Sequence, residues 1–331
     1  SKQPGFAWVD GAGRPRDLPP ELRGAAFLSA SGAEALFAGA PHRLDEIFRQ
    51  ATAGKVPRFA LPVEAALRGV SRRERTASPN VAALLPGSDP RLRDEVVVLS
   101  AHLDHLGVGE PVAGDAIYNG AFDNASGIAI LLEVAGALAR LPERPRRSVL
   151  FLAVTAEESG LHGSDYFARH PTVPAGRIVA NVNLDMALML FPLRDVIAFG
   201  AEHSSLGPTV EEAARRLGLA VTPDPAPEQV IFIRSDHYSF VKQGIPSIFL
   251  ATGLQSGDPA IKGPARWGEW LATTYHKPGD DMAQKIDFES GAQFARLNFL
   301  VAHQIAQADR APSWNPGDFF GEKFRGIAAK Q

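Results

Sequence analysis

Residues 95–107 read EVVVLSAHLDHLG. Val96–Ser100 is an apolar run without polar alternation, the mark of a strand buried on both faces. It runs directly into His102, Asp104 and His105, side chains suited to metal binding and acid–base chemistry. A strand covered on both faces needs helices above and below it, which points to an α/β sheet.

The pattern recurs outward from this stretch. Ser148–Thr155, Ile178–Leu184, Val196–Gly200 and Ile245–Ala251 read as further strands. Between them, Ser126–Leu141 places Ile128, Leu131, Leu132, Ala135 and Leu138 at helical spacing. Pro208–Leu217, His237–Gln243 and Phe288–Gln307 also read as helices. Strands alternating with helices predict a three-layer α/β/α sandwich around a mixed, largely parallel sheet. Upstream, His42–Ala53 reads as a short amphipathic helix. Phe59–Leu67 and Asn80–Leu85 read as strands separated by the charged turn Ser71–Thr76.

The 331 residues permit one large domain, or one plus a fragment. Apolar residues make up 45% and charged residues 21%, with a net charge of −3, so nothing suggests a polyanion partner. Gly 31 and Pro 26 imply many turns. The absence of cysteine removes disulfides, thiolate nucleophiles and thiolate-bound metals, leaving His, Asp and Glu as metal donors. No apolar run reaches the ~18 residues of a membrane span. No signal-like segment stands at Ser1, so a processed or trimmed form is expected.

In open α/β sheets, sites form beyond the carboxyl ends of the strands. Here the strands end at His102-Leu103-Asp104-His105, at Ala156-Glu157-Glu158 and at Asp185. The loop before the long helix holds Asp123-Asn124, and Tyr275-His276 follows the last strand. Taken singly, each has a plain reading: Asp123 an N-cap, Glu157-Glu158 a solvated helix start, a histidine a hydrogen-bonded side chain. Together, two histidines and three carboxylates suit two Zn²⁺ ions with one carboxylate between them. Of the adjacent pair Glu157-Glu158, one can bind metal while the other serves as general base. The Gly-rich loop Gly107–Gly120 lacks the Gly-Lys-Ser/Thr ending of a phosphate loop.

The motifs SAHLDHLG, GAFDNASG, TAEESGLHGS, NVNLDM, RSDHYSFVKQGIPSIF and YHKPGDD resemble the co-catalytic dizinc aminopeptidase family. Its relatives include plasma glutamate carboxypeptidase and the glutaminyl cyclases. The resemblance covers about Asn80–Gln307. It implies that His102 and Asp185 hold one zinc, Glu158 and His276 the other, and that Asp123 bridges both. Glu157 becomes the general base, taking a proton from water held by the two metals. Asp104 orients His102, and Tyr275 donates a hydrogen bond to the substrate carbonyl. The Asp123–Asn124 peptide is expected to be cis. His237 is a candidate substrate contact, His105 a residue lining or backing the site. Phe232, Phe249, Trp267 and Trp270 suggest an apolar first residue.

The implied activity is removal of an N-terminal residue from a peptide or protein with a free amine. The alternatives on the same scaffold are carboxypeptidase, dipeptidase or glutaminyl cyclase chemistry; Arg234 and Lys277 are the basic candidates for a carboxylate. A non-catalytic binding domain is the reading from another class. The segment before Asn80 is similar to the end of a protease-associated domain. Residues 1–57 are therefore expected to be a remnant of it or an N-terminal segment, 58–310 the catalytic domain and 311–331 a tail. Family habit implies a periplasmic or secreted protein.

Overall fold

The computed structural model describes residues 5–16, 26–68, 70, 72 and 74–327. The chain forms two compact units, one of Val9–Thr76 and one of Ser1–Trp8 with Ala77–Gln331. The smaller unit holds helices α1 (Ala30–Leu36) and α2 (Leu44–Thr52), neither with a fully buried residue. Helix α2 lies within the amphipathic stretch expected there. Phe59–Leu67 forms no strand: Pro62 interrupts it, and a proline removes a ladder donor. The boundary falls at Thr76, beyond the position 57 anticipated.

The larger unit is built on a seven-stranded sheet. Its strands are β1 (Val81–Leu85), β2 (Val96–His102), β5 (Ser148–Val154), β6 (Ile178–Leu184), β7 (Asp195–Phe199), β8 (Ala220–Thr222) and β9 (Ser247–Thr252). A separate hairpin, β3 (Gly107–Val112) and β4 (Asp115–Tyr118), occupies the loop read as merely Gly-rich. The sheet order is β1-β5-β2-β6-β9-β7-β8. The central strands β5, β2, β6 and β9 run parallel, while β1 and β7 pair antiparallel with β5 and β9.

Alternate side chains feed two cores. On one face Val97, Leu99, Phe151, Val182 and Leu250 meet α3 (Ser126–Ala139), α5 (Leu206–Arg216) and α8 (Phe288–Gln307) through Leu131, Val210, Phe294 and Val301. On the other, Val98, Leu150 and Leu152 meet α4 (His162–Arg169) and α6 (His237–Val241) through Phe167 and Phe240. This is the three-layer mixed sandwich read from the sequence. Two further α-helices are α7 (Gly263–Thr273) and α9 (Phe319–Lys323). The expected C-terminal tail is part of this unit: Trp314, Phe320 and Phe324 pack on the cluster of Phe199, Phe232 and Phe249.

The stretch Ala121–Ala139 is long and apolar enough by composition to cross a membrane, and half of it is buried. Ile130, Leu131, Val134 and Leu138 are core residues, so packing within the protein accounts for its apolarity.

Candidate metal centre

Parallel strands deliver their C-terminal ends to one edge of the sheet. His102 is the last residue of β2, Asp185 follows β6, and Glu157-Glu158 follow β5. Asp123 comes from the turn before α3, where the Asp123–Asn124 peptide is cis as expected. His276 comes from the segment after α7, at φ 55°.

The structure brings all five expected ligands together. His102 Nε2 lies 3.2 Å from Asp123 Oδ1 and 3.3 Å from Asp185 Oδ1. His276 Nε2 lies 3.1 Å from Asp123 Oδ2 and 3.1 Å from Glu158 Oε2. Asp123 therefore turns one oxygen toward each imidazole. His105 joins them, its Nδ1 2.8 Å from Glu158 Oε1, with its side chain only 5% exposed. The sequence placed His105 at the margin; the structure puts it against Asp123 and Glu158, within reach of one ion.

The turn around Asp123 is held from several sides. The Asp280 carboxylate, fully buried, accepts from the Phe122 and Asp123 amides at 2.9 and 3.0 Å. Asn124 Nδ2 donates to the Leu184 carbonyl, and its Oδ1 accepts from Gly127 and Met186. Gly120 opens the turn at φ 70°, where a Cβ would lie 2.3 Å from the Asp123 carbonyl oxygen, so only glycine fits.

Asp185 is fixed by a buried polar chain. Asn181 Nδ2 donates to Ser100 Oγ, which donates to Asn183 Oδ1. Asn183 Nδ2 donates to Ser235 Oγ, whose hydroxyl donates to Asp185 Oδ2 at 2.6 Å. Asn183, Ser235 and Asp280 stand inside the motifs NVNLDM, RSDHYSFVKQGIPSIF and YHKPGDD, but sequence reasoning gave none of the three a role.

Asp104 differs from its expected contact. His102 Nδ1 faces the main-chain carbonyl of Asp104 at 3.1 Å, whereas the carboxylate is 3.8 Å away. That carboxylate accepts instead from the amides of Glu157 and Glu158. His237 also differs. It is wholly buried, with Nε2 2.5 Å from the Phe232 carbonyl and its ring between Phe232 and Phe249. No surface of it is left for a substrate. Phe232, Phe249 and Trp270 are likewise packed, while Trp267 is half-buried. Tyr275 stacks on the His276 ring at 3.8 Å.

Crowded carboxylates set the electrostatics. Burial pushes the Glu157 carboxyl far above its ordinary value, and the nearby Asp236 and Asp185 charges push the same way. Burial would also raise Glu158, but the His105 and His276 imidazoles outweigh it and hold it low. Burial would lower His276, yet Asp123 and Glu158 bring it up to about 9. His102 is held well above its usual value by Asp185 and Asp123, against its own desolvation. Burial raises Tyr275, with Asp123 and Glu158 adding to it. Buried carboxylates packed this closely need a compensating cation. The oxygen and imidazole donors fit zinc. Two such donor groups sit side by side, His102 with Asp123 and Asp185, and His105 with Asp123 and Glu158.

Comparison with known proteins follows the same line. A model of Peptidase family M28 matches residues 80–302. A "probable leucine aminopeptidase 2" of Aspergillus oryzae is 31% identical over 223 residues, covering 64% of this chain and 42% of that protein. A "probable zinc metalloprotease" of Pyricularia oryzae is 28% identical over 258 residues, covering 69% of this chain and 50% of that protein. Among solved structures, a zinc aminopeptidase from Bacillus subtilis is similar with a TM-score of 0.51 and 24% identity, over 70% of this chain and 51% of that one. The chain spans about half the length of the curated relatives it matches.

Proposed function

The chain belongs to peptidase family M28, and from that premise we propose that it is a zinc-dependent aminopeptidase acting on peptides with a free N-terminus. The observation that carries this reading is Asp123, whose two oxygens address His102 on one side and His276 on the other. His102 and Asp185 would hold one zinc, Glu158 and His276 the second, and Asp123 would join them. Bound zinc would lower the pKa of water and polarise the scissile carbonyl.

The chain's own residues do the rest. Glu157 takes the proton of the attacking water and returns it to the leaving amine. Its buried, carboxylate-rich surroundings favour holding that proton between the two transfers. The Asp104 carboxylate fixes the main chain at Glu157 and Glu158. Tyr275 donates its hydroxyl proton as a hydrogen bond to the carbonyl oxygen as charge gathers there. The carboxylates around the centre tolerate an α-amine and repel a substrate carboxylate.

The test compares kcat/KM for leucyl-anilide and acetyl-leucyl-anilide in the zinc-loaded protein. The blocked substrate is expected to be about tenfold poorer or worse. Chelation should abolish activity and zinc should restore it. Equal values for the two substrates, or full activity in protein shown metal-free by elemental analysis, would overturn the reading. Glu157→Gln should keep its zinc and lose about 10²–10⁴-fold in kcat; a near wild-type rate would place the base elsewhere.

A further inference from the structure

Strand β5 ends at Val154 and helix α4 begins at His162, so one short loop, 155–163 with the first residues of α4 included, carries both Glu157 and Glu158. Its ends meet: the Gly163 amide donates to the Thr155 carbonyl at 2.9 Å. A single side chain then spans both ends. Asn80 Oδ1 accepts from the Thr155 amide at 3.0 Å, and Asn80 Nδ2 donates to the Gly163 carbonyl at 2.8 Å. The carboxamide offers one acceptor and one donor, as a peptide group does, and closes the neck of the loop like an added rung. Ser78 Oγ lies 2.6 Å from the Thr155 hydroxyl beside it. The neck has no slack, because a Cβ on Gly163 would lie 2.2 Å from the Thr155 carbonyl oxygen and 2.6 Å from Asn80 Oδ1.

Within the loop, Ala156 and Leu161 stand at φ 55° and 60°. Left-handed conformations of residues other than glycine are sparsely populated and persist only where their surroundings enforce them. The Glu157 carbonyl accepts from the Gly160 and Leu161 amides at 2.8 and 2.9 Å. Asp104 restrains the loop from the β2 side, accepting from the Glu157 amide at 3.1 Å. At the neck, among the described residues, Asn80, immediately before β1, is the side chain from outside the loop that bonds both the β5 end and the α4 start.

We propose that Asn80 is a positioning residue, which clamps the neck of the 155–163 loop and thereby sets Glu157 and Glu158 at their working positions. This rests on the aminopeptidase reading for its kinetic consequence and on the geometry alone for the clamp. Asn80 stands outside the five-ligand set and acts through the Thr155 and Gly163 main chain.

The test uses the full chain with Asn80→Ala and Asn80→Asp. Amide hydrogen exchange, zinc content, and kcat and KM on leucyl-anilide are measured for each. Asn80→Ala should speed exchange at the Thr155 and Gly163 amides while leaving the β2 and β6 amides as in the wild type. It should lower kcat by about tenfold to a hundredfold, the weight of a misplaced catalytic group, with KM nearly unchanged. Asn80→Asp keeps the acceptor for Thr155 and loses the donor to Gly163. It is expected to lie between wild type and Asn80→Ala in both measures, and it serves if the alanine variant does not fold. Wild-type kcat with a loosened neck overturns the proposal. So does exchange that rises throughout the sheet with kcat per folded molecule unchanged, the signature of a purely structural role. If the wild-type protein does not cleave the anilide, the aminopeptidase reading fails, and exchange decides the clamp by itself: unaltered exchange at Thr155 and Gly163 overturns it.

Discussion

His237 shows what full burial does to one titrating side chain. Desolvation lowers its pKa from 6.5 to about 4. Between those values the unfolded chain binds a proton that the folded chain refuses. Stability therefore rises with pH across this window, is intact above about pH 6.5, and is progressively lost as pH falls toward 4, with no further loss below. At about 1.4 kcal/mol per unit, the loss amounts to about 3 kcal/mol. His237→Gln should flatten the acid limb in denaturant unfolding measured from pH 7 to pH 4.5, even if it weakens the protein at neutral pH. Equal slopes for the two proteins would show that His237 is not the source. Ser235 offers a second single-residue test. Its hydroxyl orients Asp185, and residues that orient metal ligands typically carry 10- to 100-fold in affinity. Ser235→Ala should lose zinc to a chelator at about tenfold lower chelator concentration or less. Unchanged competition would mean that Asp185 needs no such support.

At the scale of elements, strand β5 has two ends with separate duties. Its C-terminal end delivers the glutamate loop. Just before its N-terminal end stands Arg147, a guanidinium 1% exposed, which pairs with Glu95 at 2.6 Å and donates to the Ile305 and Ala308 carbonyls. Those carbonyls belong to the end of α8, where helix carbonyls have no partner within the helix. Arg147→Leu should cost about 2–4 kcal/mol of unfolding free energy and leave kcat unchanged, since the site lies at the opposite end of the strand. A large fall in kcat with stability intact would contradict that separation. The strands themselves were legible because a buried parallel strand is an unbroken apolar run, and three of the candidate ligands, His102, Glu158 and Asp185, were legible because they stand at or just after the ends of such runs. The β3–β4 hairpin was hidden by Gly107, Gly109 and Pro111, which read as loop. Helix α4 was hidden by Gly163, Ser164 and Asp165, poor helix formers that its packing overrides. Asp280, within YHKPGDD, and Asn80, read as the start of a strand, gave no local sign of what they hold. Each acts on the main chain of a segment far away in sequence, 158 residues for Asp280 and Phe122, and only the folded sheet brings them together.

At the scale of the whole chain, the two units differ in how much they bury. Between residues 26 and 68 no residue is fully buried, whereas β2 is buried along its entire length. Opening that exposes a backbone to a protease is easiest where few apolar contacts hold it. Limited trypsin treatment should cut first after the exposed Lys55 or Arg58 and spare the stretch from Ala77 onward. First cuts within the 81–307 sheet and helices, read by mass spectrometry, would contradict this.

The smaller unit's stretch of chain is flanked on both sides by residues of the larger unit that are held on helix α4. The Trp8 indole donates to Asp165 at 3.0 Å and its ring meets Tyr166 and His170 edge-on. Asn80 is tied to Gly163, two residues before Asp165 in the same helix. A polypeptide that leaves and re-enters a fold at adjacent points behaves as a cassette, because the host needs only the two moorings and not what is strung between them. Exchanging residues 9–76 for a short glycine–serine bridge is therefore expected to yield a protein whose sheet still assembles, with its tryptophan mooring in place and its far-ultraviolet circular dichroism that of the larger unit. Loss of cooperative unfolding in that shortened chain would mean that the cassette is part of the frame.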